Sequence, residues 1–160
     1  MQEIIGELFE STEANAICIT TNGFVNASGS LTMGAGCALT AKQKYPGIQM
    51  QLGDLVGRLG NHVYLLTTEK GGKVYLKTPW KDFFPPYHIF SFPTKEHWKD
   101  DSKLELIIQS AKELEALTTA FEMKSVVLPW PGVGLGRLDR DAVREVLTPI
   151  LDGRFYIIGH

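Results

Sequence analysis

The chain has 160 residues, 44% of them hydrophobic and 21% charged, with a formal net charge of −2. That length supports one domain with its own core, burying about 70% of the unfolded chain's surface. The charge balance excludes a general polyanion-binding surface, and no run approaches the ~20 apolar residues of a membrane span.

Met1-Gln2-Glu3-Ile4-Ile5 lacks the basic and apolar regions of a secretion signal. Cys18 and Cys37 stand apart with no metal-ligand spacing, as free thiols of a reducing compartment do. A soluble, cytoplasmic, monomeric protein without a metal or cofactor is expected.

In chain order, Ile4-Ile5 opens a short strand, and Ala16-Ile17-Cys18-Ile19-Thr20 reads as a strand buried on both faces. Residues 22–33, rich in Asn, Gly, Ser and Thr, form a loop. A helix follows from Gly34 to Tyr45, stopped by Pro46-Gly47, and a second from Gly47 to Leu59, stopped by Gly60-Asn61. Val63–Thr67 and Val74–Lys77 flank Gly71-Gly72 as a hairpin. The prolines of Thr78–Pro86 exclude a central strand, and one resumes over Tyr87–Phe92. Leu104, Ile107, Ile108, Ala111, Leu114 and Leu117 recur at three- and four-residue steps, the core stripe of a helix. Val126-Val127-Leu128 is a buried strand, Asp141–Leu151 a helix and Phe155–Ile158 a closing strand. Alternating strands and helices give an α/β fold, a sheet covered on both faces.

Three loops carry candidate chemistry. Met33-Gly34-Ala35-Gly36-Cys37-Ala38 lies at a helix start, where bare N–H groups and the helix dipole favour an anion; tight packing of small residues is the other reading. Pro129-Trp130-Pro131-Gly132-Val133-Gly134-Leu135-Gly136-Arg137-Leu138-Asp139 leads from a buried strand toward a helix, where open α/β sheets bind ligands. Its glycine spacing is neither a Walker loop nor G-x-G-x-x-G, which disfavours an ordinary ATPase or dinucleotide dehydrogenase. Arg137 either pairs with a phosphate or is simply solvated, and Asp139 caps the next helix. The third loop, Phe92-Pro93-Thr94-Lys95-Glu96-His97-Trp98, holds a lysine between a stiff proline and an aromatic. Trp98 reads as packing against the helix that follows, with contact to a ligand's substituent, alongside Lys99, as the alternative. Trp80, Phe83 and Phe84 form either a satellite core or a docking surface.

Two phosphate-suited loops imply a diphosphate held from both sides. With Gly6-Glu7-Leu8 after the first strand, Thr21-Asn22 after the second and Phe92-Pro93-Thr94-Lys95, their order resembles a macro domain over the whole chain, residues 1–160. Phe-Pro-Thr-Lys followed by His-Trp is similar to the branch of DarG-type DNA ADP-ribosyl glycohydrolases and terminal ADP-ribose hydrolases. The resemblance implies a three-layer α/β/α sandwich with a mixed central sheet, and ADP-ribose as ligand. It implies Glu7 at the adenine amino group, one methylene longer than the usual aspartate, with Leu8 as an apolar wall. It sets Asn22 at the distal ribose and Met33, Gly34, Ala35 and Gly36 along one side of the diphosphate. Pro131, Gly132, Val133, Gly134, Leu135 and Gly136 follow the other side, and His160 stacks on adenine. Ile19 and Gly136 stand where relatives carry an asparagine and an aspartate, so neither supplies chemistry. Lys95 is left as the catalytic candidate at the anomeric carbon, by proton transfer or as an amine nucleophile, with binding of phosphate or ribose hydroxyls alone as the other reading. The expected activity removes ADP-ribose from modified nucleic acid or protein. The alternatives are an ADP-ribose 1″-phosphate phosphatase, a non-catalytic ADP-ribose reader, and a nucleotide-binding scaffold docking partners on Trp80–Phe84.

Overall fold

In the structure, a computed structural model that describes residues 1–67 and 88–160, strand β2 (Ala16–Thr21) sends alternate side chains to two separate cores. Ile17 and Ile19 join Leu31, Tyr45, Ile48 and Leu52 on one face, while Ala16 and Cys18 join Phe90, Ile107 and Leu114 on the other. Period-two alternation in a strand covered on both sides requires this division. Helices α1 (Gly36–Lys44) and α2 (Ile48–Leu59) cover the first face. Helices α3 (Leu104–Ala120) and α4 (Arg140–Leu147) cover the second. The fold is the expected three-layer α/β/α arrangement.

The sheet adds β1 (Gln2–Ile5), β3 (Leu65–Thr67), β4 (His88–Pro93), β5 (Val126–Pro129) and β6 (Phe155–Gly159), in the order β1-β6-β5-β2-β4-β3. All neighbours are parallel except β3, which runs antiparallel to β4 and makes the sheet mixed. The Gly71-Gly72 hairpin, its second strand and the Trp80–Phe84 loop lie outside the described residues. Strand β3 begins two residues later than Val63 because the preceding amides are taken by side chains. Val63 N donates to the Glu113 carboxylate at 2.9 Å and Tyr64 N to Ser91 Oγ at 2.9 Å.

The helix boundaries follow local chemistry. Gly47, at φ +91°, turns the chain after Pro46 and opens α2. Asp139 caps α4, its carboxylate accepting from Ala142 N at 3.0 Å. Helix α4 stops at Leu147 rather than Leu151, since Pro149 has no N–H to continue the helical hydrogen bonds. The buried stripe of α3 is shifted from the one expected: Leu106, Ile107, Ser110, Ala111, Leu114 and Thr118 are buried, while Leu104, Ile108 and Leu117 lie on its flanks. A hydroxyl in that stripe needs a partner. Ser110 Oγ has one, donating to the Pro93 carbonyl at 2.7 Å and fixing the end of β4 against the helix.

The loop of residues 22–33 lies along α2. Leu31 N donates to Gln49 O at 2.9 Å, and a Cβ on Gly53 would overlap the Gly29 carbonyl oxygen. Gly53→Ala should therefore destabilise the fold by about 1–3 kcal/mol. Gly57 of the same helix faces open space, so Gly57→Ala should stabilise by ~0.5–1 kcal/mol. Urea denaturation of the two variants checks this opposition, and similar midpoints would contradict it.

Candidate functional site

Because β2, β4, β5 and β6 are parallel, their carboxyl ends share one edge of the sheet, where ligands bind in open α/β folds. The loops leaving that edge enclose a cleft of about 660 Å³. It runs from His160 after β6, past Pro129 and Trp130 at the end of β5 and Thr20–Asn22 at the end of β2, to Thr94, Lys95 and Trp98 after β4. Three strand spacings separate the ends, ~14 Å.

The lysine loop is fixed on three sides. Thr94, 4% exposed, donates its N–H to Thr21 O at 3.0 Å and accepts from Lys103 N at 3.0 Å. Asn61 Nδ2 donates to the Lys95 carbonyl at 3.2 Å and to Glu96 Oε2 at 3.2 Å. Gly23 N donates to Glu96 O at 3.0 Å. A Cβ on Gly23 would sit 2.7 Å from Asn61 Nδ2, so the glycine lets these groups meet. The backbone of Lys95 is thus held from behind while its half-buried side chain lines the cleft. Among the described residues no carboxylate forms an ion pair with it.

The glycine loops face each other across the cleft. Gly34, Ala35 and Gly36 lead into α1 and line it together with Met33, Cys37 and Ala38; the first N–H groups of a helix lack intrahelical acceptors and can bind an anion. On the other side, Gly132 has φ +75°, and a Cβ there would lie 2.8 Å from Ile107 Cδ1 and 2.8 Å from Leu138 Cδ1. Gly136 abuts the Ser102 hydroxyl, which a Cβ would overlap, and accepts from Ser102 N at 3.0 Å. Gly132 is therefore a glycine for space as well as conformation, and Gly136 for space. Arg137, at φ +64°, points its exposed guanidinium toward Asp101 at 3.8 Å.

Of the residues expected from sequence, Lys95, Asn22, Met33, Gly34, Ala35, Gly36, Gly132, Val133, Leu135, Gly136 and His160 line the cleft, whereas Glu7, Leu8, Pro131 and Gly134 do not. Glu7 reaches the cleft through His160, whose Nδ1 lies 3.1 Å from Glu7 Oε1. Leu8 is buried in the core on the α1–α2 face, Pro131 is buried, and Gly134 is an exposed turn residue with φ +81°. Asn22 also builds its own loop: Nδ2 donates to Thr32 O at 2.9 Å and Oδ1 accepts from Phe24 N at 3.0 Å. Trp98 does not pack beneath α3; it is 47% exposed and lines the cleft, because His97 rather than the helix supports its ring.

Cys37 and Trp130, members of the two glycine loops, also line the cleft, while sequence reasoning misses Thr20 and Ser102. Their common signal is position, at or just beyond a strand end or loop that flanks the glycines. Trp130 carries Arg140 and Arg144 at 4.9 and 5.0 Å from its ring, and Arg144 is anchored to Glu3 at 2.8 Å and to Asp141. Among the described residues no group of His, Cys, Asp and Glu side chains could hold a metal ion, and no helix is long and apolar enough to cross a membrane.

No known family model matches the chain. The DNA ADP-ribosyl glycohydrolase of Thermus aquaticus is 28% identical over 126 residues, 75% of this chain and 31% of that protein. The chain spans less than a third of the length of the curated relatives it matches. The structure of the Mycobacterium tuberculosis DarG macrodomain superposes with a TM-score of 0.75 and 26% identity, covering 98% of both chains. That of Thermosipho africanus DarTG in complex with ADP-ribose gives a TM-score of 0.78 and 21% identity over 98% of this chain and 41% of the other.

Cys37 adds a chemical handle on the cleft wall. Burial pushes its thiol up, against the opposing pull of Thr20, whose N–H and hydroxyl lie 3.3 and 3.2 Å from the sulfur. Burial raises Cys18 further. Since the thiolate is the reactive form, both should alkylate more slowly than an unburied cysteine at pH 8, with Cys18 the slower. Iodoacetamide labelling followed by mass spectrometry measures the two rates; a fast Cys37 would contradict the buried wall.

Proposed function

We propose that this chain, a macro domain resembling the DarG macrodomains, binds ADP-ribose in its cleft and hydrolyses the bond from the terminal ribose to modified DNA. The observation that carries this reading is the convergence of two glycine-rich turns and one lysine on a single cleft at the parallel edge of the sheet. The relatives' names, DNA ADP-ribosyl glycohydrolase and DarG macrodomain, supply the substrate. We take residues 1–160 as one such domain, acting as a cytoplasmic monomer, in keeping with two unpaired cysteines.

The diphosphate lies between Gly34–Gly36 and Gly132–Gly136, taking hydrogen bonds from backbone N–H groups. The Pro131 and Gly134 peptides shape the second turn rather than touch the ligand through side chains. Adenine lies toward Glu7, Leu8 and His160, and the distal ribose toward Asn22 and Lys95. In the reaction the bond from C1″ to the leaving atom breaks, water supplies the hydroxyl that C1″ gains, and the leaving atom takes a proton. We assign the proton exchange to Lys95, whose carbonyl is held by Asn61 and whose side chain lines the cleft.

Lys95→Ala should abolish release of ADP-ribose from a modified oligonucleotide while ADP-ribose affinity stays within about tenfold, ~1.4 kcal/mol. Turnover by Lys95→Ala at the wild-type rate would remove lysine from the mechanism. Parallel assays on ADP-ribosylated protein and ADP-ribose 1″-phosphate separate this activity from a phosphatase, and tight binding with no turnover on any substrate would mark a reader.

Gly34→Glu should weaken ADP-ribose by about 100-fold or more, because a carboxylate on the cleft wall beside the diphosphate costs several kcal/mol. Gly34→Ala adds a Cβ that meets nothing within 4 Å and carries no charge, so it isolates the steric part of the loss. Calorimetric titration reads both, and undiminished affinity in Gly34→Glu would locate the diphosphate elsewhere.

A further inference from the structure

Trp98 belongs to neither core and is 47% exposed, yet its ring is held in place. His97 stacks against it with centroids 5.4 Å apart and planes inclined by 29°. Phe24 packs edge-on to His97 at 4.6 Å. The His97 ring is fixed in turn, with Nδ1 accepting from Lys99 N at 3.1 Å and the His97 carbonyl from Asp100 N at 3.0 Å. The result is a short aromatic stack rooted in the loop of residues 22–33 and ending in an open indole. That indole lines the cleft three residues beyond Lys95, with the Lys99 ammonium 5.2 Å from its ring centroid.

We infer that Trp98 is a specificity-determining residue whose ring stacks on the nucleobase carrying the ADP-ribose, with Lys99 beside it for a backbone phosphate. The inference rests on the hydrolase reading above and names the residue that reads the modified base. A pre-positioned indole at the cleft rim matches a planar heterocycle, and every base has a π-face to offer. An ester to a protein carboxylate presents no ring. Residues 95–103 carry three lysines, Lys95, Lys99 and Lys103, against Glu96, Asp100 and Asp101. This rim is therefore no basic track for a duplex, and stacking has to supply the discrimination. A base inside a duplex is stacked on its neighbours and reaches the platform only when extruded or single-stranded.

The test uses a single-stranded oligonucleotide with one ADP-ribosylated base, a peptide with ADP-ribosylated glutamate, and free ADP-ribose. In Trp98→Ala, kcat/KM on the oligonucleotide should fall about tenfold or more, and by more than the affinity for ADP-ribose falls. Trp98→Phe, which keeps a ring, should recover most of the rate and reports on folding as well. Wild-type turnover of the peptide as fast as of the oligonucleotide would overturn the inference, as would equal losses in kcat/KM and ADP-ribose affinity. Should the wild type release nothing, the hydrolase reading falls, and binding then decides the platform. Affinity for the modified oligonucleotide above that for ADP-ribose, lost in Trp98→Ala, supports it; no such Trp98-dependent gain refutes it.

Discussion

The parallel register between β2 and β4, which sets Thr21 opposite Pro93, governs where this molecule can hold a ligand. Parallel strands discharge their loops at one edge, so pairing β4 with β2 brings the lysine loop beside the Asn22 loop. Pairing β5 with the other side of β2 brings the second glycine turn there too. The bond from Thr94 N to Thr21 O prolongs the register one step past the strand. Were β4 displaced by one residue, its side chains would exchange faces, moving Phe90 and Phe92 out of the core that holds α3. The two phenylalanines thereby fix the address of Lys95.

Around that register the loops are restrained chiefly by backbone groups and by glycines that leave room for them. Asn61 reaches the Lys95 peptide from the connection after α2, and Ser102 links the lysine loop to the second glycine turn at Gly136. Ser110 closes the strand end from within the α3 core. Of these groups only Ser102 lines the cleft, yet all three decide its shape. A cleft so restrained offers fixed N–H donors with little rearrangement, the condition under which such donors act most strongly on an anion.

Much of this was legible in the chain itself, for identifiable reasons. Asp139 and Pro46-Gly47 are local signals, and the structure uses them as local signals. The alternation in β2 gave a two-faced strand because its run is short, apolar and rich in isoleucine. The glycine turns were found because few other roles require such residues between a strand and a helix. Non-local facts were harder to read. The start of β3 depends on Glu113 and Ser91, distant in sequence, and the burial of α3 depends on which side meets Phe90 and Phe92. From sequence alone Trp98 reads as a packing residue, since aromatics before a helix often are; its ring support comes instead from His97, itself packed on Phe24. Thr20 and Ser102 carry no motif and enter the cleft solely through their places near the end of β2 and just before α3.

The seat of residues 22–33 on α2 bears on how this protein can diverge. Gly29 meets Gly53 through backbone atoms alone, and the Leu31 amide bonds a backbone carbonyl of the helix. Asn26 Oδ1 closes the turn between them, accepting from Ser28 N at 3.0 Å and Ser30 N at 3.1 Å, whereas the exposed Ala27 side chain takes no part in any of these contacts. Lineages can therefore rewrite the outermost position of this loop while inheriting the same path through space. A recognition surface could drift there, with the two-glycine seat beneath it kept as the fixed template.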